Sequence, residues 1–254
     1  MTSSELTGEV LAGRYELREV IGRGAAAVVY RALDRKHGRD VAVKVLRAEF
    51  TQSLTADRFV REIGIAAKLT HPHILPLYDS GEANGQFYYV TPFIQGESLR
   101  QRLEREPRLS PCDAVVLARA LASALECAHA QGIVHRDLKP ENVLLVSGQA
   151  LLSDFGIAQV LRLQPDQQRF TVTGLVVGTP QYMSPEQAAG RDAVDARSDI
   201  YSLGCVLYEM LAGAAPFQGD SVQATIARRF TEDAPDVRKQ RGEVPSALAD
   251  LVAN

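Results

Sequence analysis

The chain has 254 residues and a formal net charge of −3, from 28 Lys and Arg against 31 Asp and Glu. With 46% apolar and 23% charged residues it is long enough to bury a sizeable core, which excludes a disordered or fibrous chain. The near balance of charge excludes a protein that coats nucleic acid through bulk positive charge, and no nucleic-acid partner is expected.

The opening residues, Met1 to Glu9, lack the basic and then apolar order of a secretory signal. From Arg14 to Ile94 the pattern is that of strands. Tyr15 to Ile21 alternates, as does Val28 to Leu33, and a turn from Arg35 leads into Asp40 to Leu46. One helix interrupts them over about Thr55 to Leu69, with Thr55 as its cap and Asp57 in its first turn. Phe59, Ile63 and Ala66 fall on one face of that helix. Two more strands are predicted, at Leu75 to Ser80 and Phe87 to Thr91.

Past Gly96 the period becomes helical. Ser110 caps and Pro111 opens a long amphipathic helix that runs to about Gln131, where Gly132 stops it. Asp199 to Ala212 is apolar nearly all round, as in a helix buried inside a helical half. The fold class is therefore α+β, a small β-rich half joined near 92–96 to a larger helical half, with a ligand cleft expected between them. The longest apolar stretch, Leu203 to Leu211, is broken by Glu209 and falls short of the roughly 20 residues a bilayer span needs, so no membrane segment is expected. Cys112, Cys127 and Cys205 are odd in number and widely spaced, and read as buried, reduced thiols of a cytoplasmic protein.

Three features carry chemistry. Gly22-Arg-Gly24-Ala-Ala-Ala27 lies between two strands, where glycines let a backbone approach phosphate oxygens. A strand follows, which excludes a nucleotide-binding crossover to a helix, and by itself the segment reads better as a glycine-bearing hairpin. Lys44 stands in the apolar strand Val41 to Val45, and Glu62 shares the helix face of Phe59. A carboxylate on an apolar face needs a partner, and Lys44 is the natural one. The run His135-Arg-Asp137-Leu-Lys139-Pro-Glu-Asn142 is packed between apolar stretches, and Asp154-Phe155-Gly156 follows it closely. One acid can orient a hydroxyl while the other acid and the amide hold Mg²⁺ ions on phosphates.

These motifs, in this order, resemble those of eukaryotic-type protein kinases, most of all the bacterial Ser/Thr branch, from about Arg14 to the end of the chain. The resemblance implies the bilobal kinase fold, with an N-terminal extension at 1–13, an N-lobe at 14–94 with a hinge at 92–96, and a C-lobe at 97–254. It implies transfer of the ATP γ-phosphate to protein Ser/Thr hydroxyls, with Mg²⁺ as cofactor and Mn²⁺ as an alternative ion. Lys44 then holds the α- and β-phosphates and Glu62 positions it, while the backbone from Gly22 through Gly24 to Ala27 covers the phosphates. Asp137 orients the substrate hydroxyl, Lys139 sits on the transferring phosphoryl group, and Asn142 and Asp154 hold the metal. Thr91 guards the back of the adenine pocket, the Pro92 carbonyl and the Ile94 backbone bond the ring, and Ile21, Val29, Ala42 and Leu144 sandwich it.

Gly178 to Gln187 resembles the end of an activation segment, in which Thr179 contacts the catalytic Asp and Lys. Arg136 is expected to pair with a phosphorylated activation loop, with autophosphorylation at Thr171 or Thr173. His135 in such kinases packs on Phe155, and Asp199 bonds the catalytic-loop backbone. His129 is expected to serve the last carbonyls of its helix, His37, His71 and His73 to be turn and packing residues, and Arg228-Arg229 and Arg238 to Arg241 to be solvated surface.

Two departures stand out. Ala27 replaces a third glycine, which would stiffen the loop tip and slow nucleotide exchange. The resemblance implies a truncated C-lobe, with no arginine after Asn254 to pair with Glu186, as in a fragment of a longer parent of the kind that in many bacterial relatives carries a membrane helix. Some family members dimerise through the N-lobe. The rival readings are a pseudokinase-like ATP-binding scaffold, against which the intact Lys44, Asp137 and Asp154 argue, an inactive truncated fragment that keeps the right motifs, and a small-molecule kinase, against which the long motifs argue.

Overall fold

The computed structural model describes residues 6–24, 26–48, 51, 55–155, 180–190 and 194–253, without the side chains at positions 56, 58, 60 and 62. These residues fall into two compact units. The first reaches to Thr70 and takes in Leu75–Gln95; the second comprises His71–Ile74 and the chain from Gly96.

The first unit is a six-stranded antiparallel sheet in the order β1-β2-β3-β4-β6-β5, from β1 (Val10–Leu11), β2 (Tyr15–Arg23), β3 (Ala27–Asp34), β4 (Arg39–Leu46), β5 (Asp79–Ala83) and β6 (Gln86–Pro92). Strict alternation explains its core. Leu17, Tyr30, Ala32, Val41, Val43, Val45 and Val90 point to one face and are buried together. Helix α1 (Ala56–Ala66) packs by Phe59, whose ring lies 4.8 Å from that of Phe87.

Two expectations for this unit are corrected. The strand placed at Leu75 to Ser80 begins only at Asp79, since Pro76 has no N–H to give a ladder. Its hairpin to β6 turns on Asn84 and Gly85, both with positive φ (54° and 74°), the conformation whose twist suits adjoining strands. Thr55 does occupy the cap position of α1, but its side chain makes no capping bond.

The second unit holds β7 (Glu97–Ser98), β8 (Val143–Val146) and β9 (Gln149–Leu152) in one small sheet, with α2 (Leu99–Arg105), α3 (Pro111–His129), α4 (Pro185–Ala188), α5 (Ala196–Ala212), α6 (Val222–Thr231) and α7 (Ser246–Ala253). Ser110 caps α3 by accepting the Asp113 N–H, and Gly132, at φ 73°, ends the run as expected. Helix α5 starts three residues before Asp199, because Asp195 accepts the Arg197 N–H and caps it there. It is buried nearly all round and packs on α3, which also covers β9.

Several surface expectations fail here. Arg229 is only 6% exposed, beside the Phe217 ring, and its three guanidinium nitrogens find no hydrogen bond among the described residues. Arg241 is tied down by Leu109, whose carbonyl accepts from Nη1 at 2.5 Å. Cys205 is buried, which pushes its thiol up to about 12, but Cys112 is exposed on the first turn of α3. Among the described residues no helix is long and apolar enough to cross a membrane.

Candidate active site

In the first unit the cross-strand register gathers the residues assigned to the nucleotide. Gly22 faces Val29, Val29 faces Lys44, and Lys44 faces Tyr89, while Ala42 faces Thr91. Directly opposed residues share a face, so Gly22, Val29, Ala42, Lys44 and Thr91 lie together on the face opposite the core cluster. The Lys44 ammonium stands 5.7 Å from the centre of the Tyr89 ring. Glu62 lies on α1 three residues beyond Phe59, and its side chain is outside the described residues, as are Thr171, Thr173 and Thr179.

Ile21 sits where the β2–β3 register shifts and is 45% exposed. The β2–β3 turn closes by a bond from Gly24 N–H to the Ala27 carbonyl at 2.9 Å. Ala27 is the first residue of β3, opposite Leu46, and is buried. Ala27 thus stands at the start of a strand rather than at the loop tip where the sequence pattern places it. The Pro92 carbonyl accepts the Thr91 hydroxyl at 3.4 Å, a long bond that leaves a lone pair on that oxygen, and Ile94 is half-buried just past the strand.

In the second unit the catalytic-loop candidates form one bonded cluster. Asp199, fully buried on α5, accepts the backbone N–H groups of both His135 and Arg136 at 2.7 Å. It also receives His129 Nε2 at 2.8 Å, so His129 serves this carboxylate instead of the helix-end carbonyls. Both nitrogens of the His135 ring are taken. Nε2–H donates to the Ser153 carbonyl at 2.8 Å and Nδ1 accepts the Asp137 N–H at 3.2 Å, which leaves no proton to shuttle. The ring meets Phe155 edge-on at 4.7 Å, as expected.

The Asp137 carboxylate receives the Lys139 ammonium at 2.7 Å and the Asn142 amide at 3.2 Å, both on Oδ2. Its Oδ1 accepts from no described residue. Asn142 Nδ2 also donates to the Asp137 carbonyl at 2.8 Å. The Asn142 carbonyl accepts Ser153 N–H and Oγ–H at 2.9 and 3.0 Å, which ties the residue before Asp154 to the loop. Asp154 itself is held at φ 69°. Leu144 lies half-buried in β8, opposite Leu151 and Ser98.

Beyond the loop, Arg100 of α2 donates to Glu209 at 2.8 Å and Glu141 at 3.0 Å, and to the Tyr182 hydroxyl. This half-buried network fastens the turn Pro140–Asn142 to α2 and α5. Burial pushes the Tyr182 phenol well above its usual range, so it stays a neutral donor, to Glu209 at 2.5 Å. Arg100, Ser153 and Gln187 had no role in the reading of the sequence. Of the three only Gln187 left a signal there, as the third residue after a Ser-Pro start.

Residues 15–253 match the protein kinase domain family. The chain belongs to the protein kinase family. Serine/threonine-protein kinase PknD of Mycobacterium tuberculosis is 43% identical over 244 residues, 95% of this chain and 36% of that one. The probable serine/threonine-protein kinase PknB of Lactococcus lactis is 40% identical over 248 residues, 96% of this chain and 39% of its own length. The kinase domain thus spans little more than a third of these curated relatives. The crystal structure of a mutant PknI kinase domain from M. tuberculosis superposes with a TM-score of 0.75 at 30% identity, covering 99% of this chain and 91% of that one. The likeness establishes the kinase fold, a β-rich unit and a helical unit, and the relatives place the chain in the bacterial Ser/Thr branch. The family as a whole uses ATP and a divalent metal.

The residues present fit those groups. Asn142 spends its amide nitrogen on Asp137, so its free end is an oxygen, and Asp154 adds a carboxylate close by in the chain. Hard oxygen donors of this kind suit Mg²⁺.

Proposed function

We propose that the chain is the catalytic domain of an ATP-dependent protein serine/threonine kinase that phosphorylates Ser/Thr side chains of protein substrates, its own Thr171 or Thr173 included. The single observation that carries this reading is the Asp137 carboxylate, with two donors aimed at one oxygen while the other accepts from no described residue. Asp137 takes the hydrogen of the substrate hydroxyl on Oδ1 and orients its oxygen, while Lys139, already bonded to that carboxylate, places its positive charge toward the transferring phosphoryl group. When bound, Mg²⁺ neutralises charge on the phosphates, and Asn142 and Asp154 are the residues that would hold it.

On the sheet, Lys44 supplies an ammonium for the α- and β-phosphates and the turn from Gly22 to Ala27 supplies backbone N–H groups. Thr91, the Pro92 carbonyl and the Ile94 N–H read the adenine, with Ile21, Val29, Ala42 and Leu144 against its faces. Glu62 and Thr179 take the positioning roles the resemblance implies. In this reading 14–94 is the N-lobe and 97–254 belongs to the C-lobe. Catalysis is then positioning and charge stabilisation, with no covalent intermediate on the protein.

The test is γ-phosphate transfer to a generic Ser/Thr protein and to the chain itself. Asp137→Asn should lower kcat by about 10²- to 10⁴-fold while Mg-ATP still raises the melting temperature. Wild-type turnover in Asp137→Asn would refute the assignment.

A further inference from the structure

Arg136 is an L-residue in the left-handed region, at φ 66°, directly before Asp137. Such a conformation persists only where the surroundings over-determine it. Its N–H is held by Asp199 at 2.7 Å. Its carbonyl, in the same peptide plane as the Asp137 N–H, accepts Gln187 Nε2 at 2.8 Å. That plane is thus gripped on both sides, by Gln187 at the oxygen and by His135 Nδ1 at the N–H.

Gln187 lies on a different element, α4, and is only 7% exposed. It closes the capping box of α4. Its Oε1 accepts the Ser184 N–H at 3.0 Å and its own N–H donates to Ser184 Oγ at 3.3 Å. The partners fix which end of the amide is which, because the Ser184 N–H demands an acceptor and the Arg136 carbonyl demands a donor. Glu serves a capping box as well as Gln does. An ionised carboxylate serves the box alone, whereas the carboxamide serves both the box and the loop.

We propose that Gln187 is a positioning residue for Asp137, orienting the Arg136–Asp137 peptide plane and so joining the end of the activation segment to the catalytic loop. The inference rests on the kinase reading above and adds a residue to it. The carboxylate of Gln187→Glu would keep the box and set an oxygen against the Arg136 carbonyl. Protonation restores a donor in the same place, and burial favours the protonated form.

The experiment compares the 254-residue chain with Gln187→Glu and Gln187→Met in steady-state γ-phosphate transfer between pH 8 and 6, with melting curves run alongside. At pH 8, Gln187→Glu should lose about 10- to 100-fold in kcat with KM for ATP changed by less than about twofold. The ratio of its kcat to that of the wild type should climb by about fivefold or more toward pH 6. Gln187→Met, uncharged and of similar size, should lose kcat with no such recovery, and it carries the comparison if the Glu variant does not fold. Variants that match the wild type across this range would overturn the proposal and leave the kinase reading standing. A folded wild type that binds Mg-ATP and transfers no phosphate would overturn that reading, and the proposal with it.

Discussion

Asp34 shows how much one carboxylate can hold. It is 1% exposed and accepts from Arg14 Nε and Nη2, both at 2.8 Å, while His37 Nδ1 approaches at 2.7 Å and the Lys36 N–H at 3.1 Å. Arg14 reaches on to Asp79 at 3.0 Å, so the start of β2, the turn after β3 and β5 share one charged knot. The Arg14 guanidinium, with help from His37, holds the Asp34 carboxyl well below the usual carboxylate range. A carboxyl group depressed on folding adds stability above its unfolded value near 4, and that stability fades as pH falls through the lower folded value. Asp34→Asn should therefore cost about 2 kcal/mol at pH 7 and flatten the loss of stability between about pH 5 and 2, as read by urea denaturation at each pH. Equal slopes for wild type and variant would refute it. None of this was legible beforehand, because Arg14 and Asp34 become neighbours only once β2 and β3 pair.

At the scale of elements, punctuation in the sequence was read well where it acts locally. Ser110 with Pro111 opened α3 and Gly132 closed it, because capping and left-handed backbone depend on adjacent residues alone. Apolar alternation points to a strand from Leu75, but Pro76 forbids it and the Asn84-Gly85 turn sets the register of the strand that forms. In the sequence Gly96 marks only a boundary between the two periods. A Cβ built on it would fall inside contact distance of the Leu145 carbonyl oxygen, so this glycine is required by the close approach that lets β7 pair with β8. Gly96→Ala should cost about 2 kcal/mol, in the range of overpacked interiors, with a lowered melting temperature as the readout. An unchanged melt would show that β8 gives way easily.

For the molecule as a whole, the fold class was legible from the switch of period at Gly96, and the catalytic candidates from a motif contiguous in the chain. The supports of that motif lie far away. Asp199, which the resemblance alone supplies, is 64 residues from His135, and Glu209, which nothing in the sequence supplies, is 109 residues from Arg100. Only the topology that brings α2, α5 and the loop together creates such pairs. Arg229 was misjudged for the same reason, since a charged residue on an amphipathic helix is ordinarily solvated.

The grip of Asp199 on the loop has a kinetic counterpart. The amide hydrogens of His135 and Arg136 belong to a segment without regular secondary structure, yet both end on a carboxylate with no exposed surface, in the first turn of Ala196–Ala212. For either hydrogen to be traded for deuterium, that helix must let go. Labelling should find these two sites as slow as the interior of the helix, far slower than the turn at Ser147-Gly148, as if a strip of core had been laid inside a loop.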